Sequence, residues 1–85
     1  MVDTLTELIE IILREEGGKN TAQEVSHLVH ISKHSIRGSN KGLMARAIPR
    51  HVRASKLIHS GKIRDVDPHH EERNRDTLVY WVEPA

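Results

Sequence analysis

Met44-Ala45-Arg46-Ala47-Ile48-Pro49-Arg50-His51-Val52-Arg53-Ala54-Ser55 carries two chemical faces at once. Taken at about 100° per residue, Met44, Ala45, Ile48, Val52 and Ser55 fall on one side of a helix. Arg46, Arg50 and Arg53 fall within an arc of about 60° on the other side. This pattern predicts a helix that packs on a core and turns a cationic face to an anion. Pro49 bears on its course, because proline deletes one intrahelical hydrogen bond and pushes Ile48 away from helical angles. The helix either kinks there or ends at Ile48 and restarts at Pro49, and the second course rotates Arg46 out of line with Arg50 and Arg53. The expected span is about 41–60, closed by Gly61.

The positive charge extends well beyond this helix. From Ile31 to Arg64 stand nine basic residues (Lys33, Arg37, Lys41, Arg46, Arg50, Arg53, Lys56, Lys62 and Arg64) and no aspartate or glutamate. Met1 to His30 holds two basic and six acidic residues, and so does Asp65 to Ala85. The net charge of +1 therefore conceals blocks of −4, +9 and −4. A solvated helix face explains charge but predicts mixed signs, whereas this segregation predicts a positive field that a polyanion can use. Tyr80 and Trp81 are the only aromatic residues. Rows of stacking rings for single strands are thus missing, and duplex DNA is favoured.

Eighty-five residues suffice for one domain with a modest core. There is no cysteine, so neither a disulfide framework nor a thiolate metal site supports the fold. The apolar runs are short, and Asp3, Glu7 and Glu10 do not fit a secretory signal. The expectation is a soluble intracellular protein of cytoplasm, nucleoid or nucleus, without a membrane partner.

Working toward the N-terminus, Thr4-x-x-Glu7 is a capping box that opens a first helix over about 4–16, with Leu5, Leu8, Ile9 and Ile12 at helical spacing. Gly17-Gly18 ends it. Ile11 falls off that apolar face and Leu13 lies at its margin, which leaves surface for a homodimer contact or simply scattered aliphatics. Thr21-x-x-Glu24 opens a second helix over about 21–31, with Val25, Leu28 and Val29 on one face. Ser32 to Asn40 reads as an irregular link from which Ile36 tucks back into the core. Toward the C-terminus the period changes to two, giving strands over about 62–66 and 77–82 around a polar loop, 67–76, that begins with Asp67-Pro68.

Three helices followed by a β-hairpin, with the basic residues gathered on the third helix, resemble the winged helix-turn-helix fold. The resemblance spans nearly the whole chain. More narrowly, Thr21-Ala22-Gln23-Glu24-Val25, the long link and Met44 to Val52 are similar to winged helices attached to restriction enzymes and chromatin proteins. The resemblance implies a single α+β winged-helix domain over 1–85, three α-helices and a two-stranded antiparallel wing. It implies a third helix in the major groove and a wing on the backbone or minor groove, with Arg46, Arg50 and Arg53 on the recognition helix and Arg73 and Arg75 at the wing tip. Pro49 and the acidic flanks of the wing depart from the usual pattern.

The expected function is non-enzymatic binding of duplex DNA, regulatory or architectural. Arginines suit bidentate contacts to guanine or phosphate. Lys33, Lys41, Lys56 and Lys62 grip phosphates and position the duplex, and Arg37 is a further DNA-binding candidate. At the wing tip Glu71, Glu72 and Asp76 surround Arg73 and Arg75, so that loop is either a DNA contact braked by its acids or a self-neutralising surface. His27 and His30 share a helical face, but three or four converging ligands are needed for a metal and none is expected. His51 and His59 stand on or beside the basic segment and would add charge below about pH 6.5. His69-His70-Glu71 lacks the companions that hydrolysis needs, and no cofactor is expected. Two rival functions are a protein-interaction winged helix that docks a partner through its first helix or wing, and binding of structured RNA.

Overall fold

A computed structural model of the chain describes residues 1–38, 40, 45–65 and 75–84, with the backbone alone at 65 and 75. Helix α1, Leu5–Glu16, starts where its sequence says it should. The Glu7 N–H donates to Thr4 Oγ1 at 3.1 Å, and the Asp3 N–H donates to Glu7 Oε2 at 3.3 Å. The reciprocal bond of the capping box is thus made one residue earlier than usual. Gly17, at φ 72°, ends the helix with its N–H on the Leu13 carbonyl. Leu5, Leu8, Ile9, Ile12 and Leu13 are all buried. Leu13 is therefore a core residue and not the margin of the apolar face, while Ile11 is half-buried against the same core.

After α1 the chain makes a strand of two residues, β1, Asn20–Thr21. The buried Asn20 donates from Nδ2 to the Gly17 carbonyl at 3.2 Å, fixing the entry to that strand. Thr21 also caps α2, Ala22–Ile31. Its Oγ1 accepts the Glu24 N–H at 3.0 Å and donates to Glu24 Oε1 at 3.1 Å. Beyond α2 the link returns to the N-terminus. The Val2 N–H donates to the Ser35 carbonyl and the Arg37 N–H to the Val2 carbonyl, each at 2.8 Å, which seats Ile36 and Val2 in the core.

The third helical region is shorter than its apolar periodicity suggests. Among its described residues it has a 3-10 turn, Ala45–Ala47, followed by α3, Ile48–Ala54, with Pro49 in its first turn; residues 41–44 lie outside the described residues. Proline is tolerated there because the first N–H groups of a helix have no intrahelical partner. Pro49 thus divides the region and does not kink a single helix. The helix ends at Ser55, not near residue 60. Ser55 Oγ accepts the N–H groups of Leu57 and Ile58, at 3.0 and 3.1 Å, and turns the chain into a strand.

That strand, β2, runs Ile58–Asp65, and its partner β3 runs Arg75–Val82. The first expected strand, 62–66, therefore begins four residues earlier, and Arg75 and Asp76 belong to β3 and not to the loop. Gly61 does not close a helix; it lies inside β2, where the Trp81 ring crosses it. A Cβ at Gly61 would stand 3.2 Å from Trp81 Cη2. The sheet has three antiparallel strands in the order β1-β3-β2, so the expected two-stranded wing gains a third strand. Two residues are too few to leave a period in the sequence, and β1 forms because β3 has a free edge beside it. Loop residues 66–74 lie outside the described residues.

The described residues form an α+β fold of three α-helices and a three-stranded antiparallel sheet. Its core joins the apolar face of α1 to Val25 and Val29 of α2, Ile48 and Val52 of α3, Ile58 of β2 and Tyr80 of β3. Among the described residues no helix is long and apolar enough to cross a membrane.

Candidate nucleic-acid interface

Helix α3 places its side chains according to which of them the core can accept. Ile48 and Val52, 3% and 5% exposed, face inward, and Arg50 and Arg53 stand in solvent one turn apart. Arg46 is also exposed, but it sits on the 3-10 turn, so the three arginines do not share one α-helical face. His51 turns toward α1. Its Nδ1 lies 2.8 Å from Thr6 Oγ1, so it belongs to the packing seam and not to the cationic face.

The sheet continues the positive surface. Residues directly opposite in an antiparallel pair share a face, and successive residues alternate. Ile58, Ser60, Lys62 and Arg64 therefore share a face with Tyr80, which is in the helix-packed core. Lys62 and Arg64 are exposed on the part of that face lying beyond the core. Arg53 lies near enough to Tyr80 to act on its hydroxyl. Burial raises the Tyr80 pKa above its ordinary value, and the Arg53 guanidinium works in the lowering direction. Lys56 is exposed in the turn between α3 and β2. Cations thus run from α3 through the turn and out along β2.

No family model, curated protein or solved structure matches the chain.

Other cations of the segment take different places. Arg37 Nε donates to Asp3 Oδ1 at 3.1 Å in an exposed pair, tying the link to the N-terminus. Lys33 lines a hollow between α1 and α2 beside Glu15, Glu16 and His34. Lys41, Arg73 and the Glu71–Glu72 pair lie outside the described residues, while the backbone of Arg75 pairs with Asp65. Arg64 faces Asp76 across the strands, which tempers its charge.

His59 lies on the opposite sheet face. Its ring stacks on Trp81 at 5.6 Å, and its Nε2 is 3.4 Å from Glu83 Oε1. Lys19 Nζ stands 4.7 Å from the centroid of the Trp81 ring. These contacts clamp the indole to the sheet and take His59 away from the basic surface. Among the described residues no three His, Asp or Glu side chains converge as a metal site.

Arg64 is the surface residue that helix-based reasoning passes over. The available signal was the two-residue alternation Ser60, Lys62, Arg64, which puts Arg64 on the side of Lys62 once the strand is recognised.

Proposed function

We propose that the protein is a winged-helix module that binds duplex DNA without catalysis, in a regulatory or architectural role. The observation that carries this reading is the distribution of charge. Arg50 and Arg53 on α3, Lys56 in the turn, and Lys62 and Arg64 on the helical side of β2 form one predominantly cationic strip, with Asp76 opposite Arg64. The order of elements adds support, since helices followed by an antiparallel hairpin are what the resemblance implies.

In this reading α3 enters the major groove with Arg50 and Arg53 toward base edges or phosphate. Arg46, Lys56, Lys62 and Arg64 grip the backbone, and Arg73, outside the described residues, and Arg75, at the start of β3, are assigned to the same contact. Arg37 is left as a peripheral phosphate contact, Lys41 lies outside the described residues, and Lys33, which lines the hollow between α1 and α2, is not part of the contact.

The test is fluorescence anisotropy of a labelled mixed-sequence duplex at two salt concentrations, comparing wild type with the Arg46→Ala, Arg50→Ala, Arg53→Ala variant. Binding that falls by about 0.9 log units per phosphate contact for each tenfold rise in salt, and is lost in the folded variant, is the expected result. No binding by wild type, or equal binding by both proteins, refutes it.

A further inference from the structure

Between α1 and α2 lie two open hollows of about 400 and 510 Å³ that meet at Glu16 and Leu28, which line both. Buried Ile12 and half-buried Leu28 make an apolar floor, and Ile31 stands at one end 61% exposed. Glu15, Glu16 and Glu24 stand around that floor, against Lys33 as the one fixed cation among the described lining residues. An apolar floor with an acidic rim has an electrostatic complement, namely an apolar stripe flanked by lysine or arginine.

The position of the groove separates it from the cationic strip. Ile12, Glu15 and Glu16 lie about 130° around α1 from Thr6, Glu10 and Leu13, taking about 100° per residue. Thr6 and Glu10 are the residues that hold α3 and its end, so the groove occupies another flank of the helix. A ligand seated there touches neither Arg50 nor Arg53.

We infer that this groove docks a basic amphipathic helical segment of a partner protein. Apolar side chains of the segment, at helical spacing, rest over Leu28 and Ile31, and its cations meet Glu15, Glu16 and Glu24. A second copy of the chain is the competing occupant, because the protein's own cationic strip has matching charge. The charge of the groove selects a basic occupant, and a separate segment can bind while the strip holds a polyanion.

The probe is a synthetic peptide of roughly 14 residues, leucines at helical spacing and lysines elsewhere, with a glutamate-for-lysine control. Backbone amide NMR shifts of the full chain are followed during titration. The expected result is saturable binding of the lysine peptide with shifts centred on Glu16, Leu28 and Ile31, and none with the control. Ile31→Asn and the Glu15→Gln, Glu16→Gln pair, all at exposed positions, each weaken binding by at least about fivefold while the amide spectrum stays that of a folded chain. Neither changes duplex binding, so failure of the DNA reading and failure of this one are distinguishable. Absent binding, shifts centred elsewhere, equal binding of the control or indifference to the variants overturns the inference. Groove shifts that appear with protein concentration alone assign the site to a second copy and also overturn it.

Discussion

Thr6 Oγ1 and His51 Nδ1 share a hydrogen bond of 2.8 Å between α1 and α3. One turn further along both helices, Ser55 Oγ donates to Glu10 Oε2 at 2.7 Å. The two contacts form a polar seam beside the apolar one, and they set the rotation of α3 that keeps Arg50 and Arg53 in solvent. The Thr6 contact accommodates either state of the imidazole, because the hydroxyl can donate to a bare Nδ1 or accept from a protonated one.

The seam gives a stability prediction. Thr6→Val removes one part-buried hydrogen bond and is expected to destabilise the fold by about 0.5–1.5 kcal/mol. Ser55→Ala removes more, since the same oxygen serves Glu10, Leu57 and Ile58, and the expected loss is about 1–2 kcal/mol. Urea denaturation monitored by circular dichroism measures both. A Ser55→Ala variant as stable as wild type would remove the seam from the account of α3.

Helix and strand cations should differ in what they do to binding. Arg50→Ala and Arg53→Ala are each expected to weaken duplex binding by about 1–3 kcal/mol when the guanidinium makes a bidentate contact. Lys62→Ala with Arg64→Ala is expected to lower the salt slope by up to about 1.8 log units per tenfold salt. Anisotropy titrations over a salt series distinguish the two patterns, and an unchanged slope would exclude β2 from the contact.

The indole clamp offers a local reporter, since Trp81 is the only tryptophan. Gly61→Val places two methyl groups where the ring now lies, the ring edge being only 3.2 Å from a Cβ at that position. The ring must leave its place beside Lys19 and His59, with an expected loss of about 1–3 kcal/mol from overpacking. A red-shifted emission spectrum alongside lower urea resistance is the expected outcome. Native emission and stability would mean that the clamp yields freely.

Tyr80 is expected to contribute to the loss of stability at alkaline pH. Its folded pKa lies above the unfolded value of 10.0, so between these two values the unfolded chain releases the proton while the folded chain keeps it. Its contribution is fully present below pH 10.0 and is lost as pH rises through the folded pKa. As the only tyrosine, it can be followed directly by ultraviolet absorbance of the phenolate. Arg53→Ala is expected to shift that titration further upward, because the guanidinium favours the phenolate. A titration unmoved by Arg53→Ala would separate Arg53 from the sheet, and Tyr80→Phe should flatten the alkaline loss.

The sequence alone determined the elements whose instructions are local. Thr4 and Thr21 accept the N–H three residues on, Gly17 supplies a positive φ, and the spacing of Leu5, Leu8, Ile9 and Ile12 turns one face of α1 inward. The block of nine basic residues is likewise a property of the chain itself. The tertiary structure decided the rest, because each outcome depends on a partner distant in sequence. Ser55 and Ile58 keep a helical period on paper, yet Glu10 and the edge of β3 draw them into a turn and a strand. Asn20 and Thr21 carry no strand signal and become β1 only where Tyr80 and Val79 present free backbone groups. The basic residues were legible as a set, but their sorting was not. Arg37 pairs with Asp3, Lys33 lies beside acids, Arg50 and Arg53 stand in solvent on α3, and Lys62 and Arg64 continue along the helical side of β2. A charge in a sequence has a sign and a spacing, and only packing gives it a direction.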